Sequence, residues 1–181
     1  MAKAAADFLV LKSPTVPPDA VFHTPPGVSD AVASTLPVAG LTAAAALSAI
    51  GRRSGDTVLI GGAAGGVEYG LGLADRVRAL APGGVTAATN LFGTETAEAA
   101  LALGIPPERI STIAAGPNPP GGVRATGGSE ADLDDMERIT DAILAGRITV
   151  PIAATFPIEQ TRDAVTLQAR RHVHGKIVIT V

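Results

Sequence analysis

Glycines spaced Gly62-x-x-Gly65-Gly66 follow an apolar run, Thr57-Val-Leu-Ile-Gly61, and precede a stretch of helical periodicity. Glycine at such a junction lets the backbone turn sharply and approach a ligand with no Cβ in the way. The free N–H groups and the dipole of the helix that follows stabilise an anion, typically the diphosphate of a dinucleotide. The fingerprint is incomplete. Glu68 stands three residues after Gly65, where a third glycine is expected. An acid for the ribose hydroxyls, expected about 20 residues further on, is missing. The second predicted strand ends at Thr89-Asn90, and Glu95 already falls in the next predicted helix. With neither an acid nor a base at that strand end, weak binding and poor discrimination between NADH and NADPH are expected. The plain alternative is a tight βα turn whose glycines serve packing alone.

Other groups with chemical capacity have simpler readings. Arg170-Arg171-His172 with His174 could clasp a phosphate, or could complement the dipole at a helix C-terminus. Glu130, Asp132, Asp134 and Asp135 could form a metal face, but their position at a helix start suits first-turn acids, and no histidine lies nearby to complete a metal site. His23 is isolated between prolines. No Ser/His/Asp spacing and no nucleophile elbow point to a hydrolase. The absence of cysteine removes thiolate catalysis, disulfides and Cys-ligated zinc or iron–sulfur centres. No catalytic side chain is identified, and no metal is expected.

Composition narrows the partners. The net charge is -3, aromatic residues make up 3%, and no Lys/Arg cluster occurs, which argues against nucleic acid. With 46% hydrophobic and 17% charged residues, the 181-residue chain is globular and long enough to bury a core unaided. No run of 18 apolar residues predicts a membrane span. Asp7 interrupts the apolar start and no cleavage site follows, so no signal peptide is expected and a cytoplasmic location follows by default.

These candidate residues need elements to carry them. Residues 8–11 read as a short strand, and residues 12–28, with five prolines, as extended chain with a possible edge strand at 20–23. Ser29 reads as the N-cap of a helix to about Leu36, and an alanine-rich helix follows from Gly40 to Gly51. Residues 57–61 read as a buried parallel strand. The stripe Leu71, Leu73/Ala74, Val77, Leu80/Ala81 predicts a helix, 85–89 a second strand, 94–103 a helix and 109–114 a third strand. That alternation predicts an α/β fold with a mostly parallel, Rossmann-like sheet. Residues 116–128 are nearly all loop formers and are expected to be mobile. A helix from Ser129 to about Ala145, a strand over 148–156 weakened by Pro151, a helix over 158–171 and a final strand over 176–181 complete the chain.

Several ordered motifs resemble a known family. Leu36-Pro-Val-Ala-Gly-Leu-Thr42-Ala, Gly55-Asp-Thr-Val-Leu-Ile, Gly62-Ala-Ala-Gly65-Gly66-Val67, Leu80-Ala-Pro-Gly-Gly-Val-Thr, Thr155-Phe-Pro-Ile and Gly175-Lys176-Ile-Val-Ile are similar to the zinc-independent quinone oxidoreductases of the medium-chain dehydrogenase/reductase superfamily. The resemblance spans about residues 20–181. It implies NADPH as cofactor, no metal, and a small-molecule quinone or activated carbonyl or alkene as substrate. It also implies that Gly62, Ala63, Gly65, Gly66 and Val67 lie at the diphosphate, Thr42 beside the nicotinamide, Asn90, Leu91 and Phe92 along its amide, and Lys176 on the other side. Against the family the chain looks shortened. Residues 1–28 read as the remnant of a substrate domain and 29–181 as a Rossmann-like domain, with a jump to a later segment of the family after Val67. The shortened sheet implies uncovered apolar edges and hence a homo-oligomer. The alternative is a non-catalytic relative acting as an oligomerising or interaction module.

Overall fold

A computed structural model of the chain describes residues 23–62, 72–132, 134–170 and 173–180. In chain order the elements are α1 (Asp30–Ala33), α2 (Leu41–Ala49), β1 (Val58–Gly61), α3 (Leu73–Leu80), β2 (Ala87–Asn90), α4 (Glu95–Ala102), β3 (Ile110–Thr112), β4 (Arg124–Ala125), α5 (Asp135–Leu144), β5 (Ile152–Pro157), α6 (Thr161–Ala169) and β6 (Lys176–Thr180). They fall into two compact units, one running from Leu41 to Asp132 and the other combining the described residues before and after it. The expected strand at 8–11 and the jump after Val67 lie outside the described residues.

The unit from Leu41 to Asp132 is the expected α/β architecture. Its sheet has the order β1-β2-β3-β4, every pair parallel. The register aligns Leu59 with Ala88 and Ala88 with Ile110. These three point to one face, where Ala97 and Ala100 of α4, Ile105 and Val123 close a core whose buried members are all at most 4% exposed. The small alanines matter here because they let α4 approach the sheet closely. Thr89 and Ser111 alternate onto the other face. There Ser111 Oγ donates to the Ala46 carbonyl of α2 at 3.0 Å and meets Thr89 Oγ1 at 3.1 Å, so these buried hydroxyls are satisfied.

The N-terminal ends of the strands are fastened by Arg109. Its guanidinium donates to the carbonyls of Ile50 and Gly51, both at 2.5 Å, and to the Asp56 carboxylate at 2.6 Å. Asp56 also accepts from the Thr86 hydroxyl at 2.7 Å and from the Arg53 N–H at 2.5 Å. One ion pair thereby ties the end of α2 to the chain entering β1, β2 and β3.

Three expectations change. Leu80, assigned to the buried stripe of α3, is 86% exposed, and Val77 is the buried residue of that helix. Residues 116–128 are more anchored than their Gly/Pro content implies. Val123 enters the core, β4 pairs with β3, and the Thr126 N–H donates to Thr112 O at 2.9 Å. The helix expected from Ser129 starts at Asp135; Ser129 sits in a separate 3-10 turn, Gly128–Glu130. There the Glu130 carboxylate accepts from the Gly127 N–H at 3.1 Å and pairs with Arg124 at 2.8 Å, and the turn ends at Ala131, which is extended with ψ 145°.

In the other unit Ser29 caps α1 as expected, accepting from the Val32 N–H at 3.4 Å. That helix is a single turn. Pro37, which has no N–H to donate, follows in a π-turn over Leu36–Gly40. β5 and β6 form a parallel pair of their own, with Thr155 opposite Val178, and α6 packs on both. β5 begins directly after Pro151, consistent with its expected edge character. No helix among the described residues is long and apolar enough to cross a membrane.

Candidate functional site

β1, β2 and β3 end level with one another, because Gly61 pairs with Asn90 and Asn90 with Thr112. The carboxyl ends of parallel strands are where open α/β sheets present ligand-binding loops. Each of these strands ends in small or polar residues, and their side chains are buried: Asn90 is 0% and Thr112 1% exposed.

Gly61 has a packing reason. A Cβ there would fall inside the Thr96 side chain, so glycine is what allows the first turn of α4 to lie against the end of β1. Gly62 follows with φ +88°, a left-handed turn that glycine adopts at no cost. The chain thus leaves the strand abruptly at the point expected of the glycine motif. Ala63, Gly65, Gly66 and Val67, together with Glu68, lie outside the described residues.

Asn90 organises the neighbouring turn. Its amide donates to Gly93 O at 2.7 Å and to Thr112 Oγ1 at 2.8 Å. Thr112 Oγ1 in turn accepts from the N–H groups of Ala114 and Ala115 at 3.3 and 3.2 Å. The Leu91 N–H donates to Gly61 O at 2.9 Å, which sets the turn after β2 directly beside the start of the glycine segment. Phe92 lies on this turn, 55% exposed. Two buried oxygens of the cluster, Asn90 Oδ1 and Thr96 Oγ1, have no hydrogen-bond partner among the described residues. A buried acceptor without a donor is costly, and a ligand hydroxyl or N–H is one way of completing it.

Of the residues expected at the site, Gly62, Asn90, Leu91 and Phe92 are brought together. Thr42 stands at the start of α2, where a Cβ on Gly128 would come within 3.1 Å of its hydroxyl. Lys176 belongs to the other unit and lines a cavity of about 300 Å³ with Ser34, Thr35, Val38, Ala39 and Ile177 to Ile179. Of the acids that could have formed a metal face, Glu130 is engaged by Arg124 at 2.8 Å and Asp135 by Arg138 at 3.2 Å. Arg124 and the Gly127 N–H also hold the Glu130 carboxyl below its ordinary pKa. Arg171 and His172 lie outside the described residues. Two members of the cluster went unnoticed in the sequence, Thr96 and Thr112. The available signal was the pairing of polar residues at two strand ends, Thr89-Asn90 and Ser111-Thr112, inside otherwise apolar runs.

A sequence model of the family described as zinc-binding dehydrogenase matches residues 18–179. No curated protein matches the chain. Among solved structures the fold is similar to the crystal structure of AibC, with a TM-score of 0.67 and 19% sequence identity over 87% of this chain. The chain spans 58% of the length of AibC.

Proposed function

Because the chain belongs to the zinc-binding dehydrogenase family, we propose that it is an oxidoreductase that binds a nicotinamide dinucleotide where β1 and β2 end and reduces a quinone or an activated carbonyl or alkene. The observation that carries this reading is the juxtaposition of the glycine exit from β1 with the Asn90 turn, fixed by the hydrogen bond from Leu91 N–H to Gly61 O. The buried, unpartnered Asn90 Oδ1 beside a sharp glycine turn fits a ligand that brings its own donors.

Gly62, Ala63, Gly65, Gly66 and Val67 would hold the diphosphate through backbone N–H groups. Asn90 ends the strand next to β1 and Leu91 follows it, which by the general rule for such sheets is the ribose position adjoining the diphosphate. This differs from the nicotinamide position that the resemblance implies for them. Thr42 beside the nicotinamide and Lys176 opposite it are carried over from the resemblance, as is NADPH. When bound, the dinucleotide supplies the hydride, and the protein's part is to bind it, orient it and exclude water.

Zinc is a different matter. The chain has no cysteine, and among the described residues no group of three or more His, Asp or Glu could hold a metal ion. The described residues do not fit the metal in the family's description.

Isothermal titration of the chain with NADH and NADPH tests the proposal. Dissociation constants in the micromolar to submillimolar range are expected, on the order of 5 to 8 kcal/mol of binding. No heat from either nucleotide at millimolar concentration would overturn it.

A further inference from the structure

Among the described residues β6 has one strand neighbour, β5, and one open edge. A cavity of about 300 Å³ touches four consecutive residues of β6, Lys176 to Ile179, and none of β5. Successive strand residues point to opposite faces, so a cavity that meets all four runs along the open edge of the strand. Its other wall is the segment after α1, from Ser34 to Ala39. Both walls belong to the unit that excludes residues 41–132.

The two walls divide the cavity chemically. Val38, 67% exposed, and Ile179, 43% exposed, give it aliphatic surface together with Ile177. Lys176 is exposed, and its ammonium has no acidic or hydrogen-bonding partner among the described residues. The Ser34 hydroxyl donates to Ala31 O at 2.9 Å and the Thr35 hydroxyl to Val32 O at 2.8 Å. With both protons committed to the chain's own carbonyls, these two oxygens have only lone pairs to offer a ligand.

We propose that this cavity binds a short aliphatic hydroxy carboxylate. Its carboxylate pairs with Lys176, its hydroxyl donates to Ser34 or Thr35, and its chain covers Val38, Ile177 and Ile179. The open edge of β6 adds backbone N–H groups that suit an anion. The volume equals that of about ten waters at liquid density, which suits an acid of about nine non-hydrogen atoms. A phosphate matches less well, because it calls for several donors and Lys176 is the one cation among the described lining residues. A plain fatty acid leaves the two acceptor oxygens without a donor. The proposal does not rest on the dinucleotide reading, and it gives Lys176 a ligand other than the nicotinamide that the resemblance implies.

The test is an amide NMR titration of the whole chain with 2-hydroxyhexanoate, 3-hydroxyhexanoate, hexanoate and 2-hydroxyhexanamide. A hydroxy acid is expected to shift the amides of 34–39 and 176–179 together and to leave those of β1 to β3 in place. It is expected to bind about fivefold more tightly than hexanoate, the scale of one net hydrogen bond. The neutral amide in the unmodified chain, or the hydroxy acid in Lys176→Gln, is expected to bind about fivefold more weakly, the upper end for a solvent-exposed ion pair. The thermal unfolding midpoint of Lys176→Gln is expected to stay in place, because this ammonium holds no other element. Hexanoate binding as tightly as both hydroxy acids overturns the part given to Ser34 and Thr35. Equal binding of acid and amide, or affinity that survives Lys176→Gln, overturns the part given to Lys176. No shift at either wall with any of the four at about 20 mM, well above a millimolar dissociation constant, overturns the site and leaves the dinucleotide reading standing.

Discussion

Gly61 and Asp56 show two ways in which one residue holds this sheet. At Gly61 the constraint is space. Gly61→Ala drives a methyl into Thr96, and overpacking of this kind costs about 1–3 kcal/mol. Urea unfolding should show that loss. At Asp56 the constraint is charge. The Arg109 guanidinium, then the Thr86 hydroxyl and the Arg53 N–H, lower its pKa from 3.8 to about 2. A carboxyl whose pKa is lower in the folded state stabilises the fold above its unfolded value, and that contribution disappears as pH falls through the folded one. The urea midpoint is therefore expected to drop between about pH 4 and about pH 2, and Asp56→Asn to flatten part of that drop. An identical slope in the variant would count against the role given to this ion pair.

At the scale of elements, the sequence announced most of what the chain builds. β1 and β3 fall inside runs read as strands and β2 ends one residue past its run, because apolar and β-branched residues bounded by Gly and Pro leave few alternatives. Element ends were harder. α3 ends at Leu80 with that side chain in solvent, since periodicity shows that a stripe exists and not how far its partner extends. β4 was hidden because two residues, Arg124 and Ala125, carry no strand pattern; their pairing with β3 is a tertiary event anchored by Val123. Native-state amide exchange should find the Thr126 N–H protected by its bond to Thr112 O, against fast exchange across 116–118. Val123→Ala should cost about 1–3 kcal/mol and abolish that protection. The site was legible in the same uneven way. Gly62 and Asn90 stood out by type and context, whereas Thr96 did not, because only the close approach of α4 to Gly61 brings it to the end of β1.

At the scale of the whole molecule, β1 is flanked on one side only in its sheet among the described residues, and Ile60 on it is 44% exposed. An apolar strand in that position favours pairing with another chain. Light scattering is expected to report a dimer or larger species, and a monodisperse monomer would contradict this. Steady-state oxidation of reduced dinucleotide with a small quinone should run below about 1 s⁻¹, under the range of ordinary enzymes.

Among the described residues the strand order β1-β2-β3-β4 rises without a reversal. Open α/β sheets commonly hold their ligands where the order reverses, so that loops from both flanks close on the occupant. The sheet of residues 41–132 offers loops from one flank. If a nucleotide binds there as proposed, its residence is expected to be short, because diffusion sets how fast it arrives and the grip sets how fast it leaves. Stopped-flow displacement should give a dissociation rate of about 100 s⁻¹ or more, from an arrival rate of about 10⁶ M⁻¹s⁻¹ and a dissociation constant near 100 μM. Occupancy of the proposed site would then track the free nucleotide concentration within about ten milliseconds.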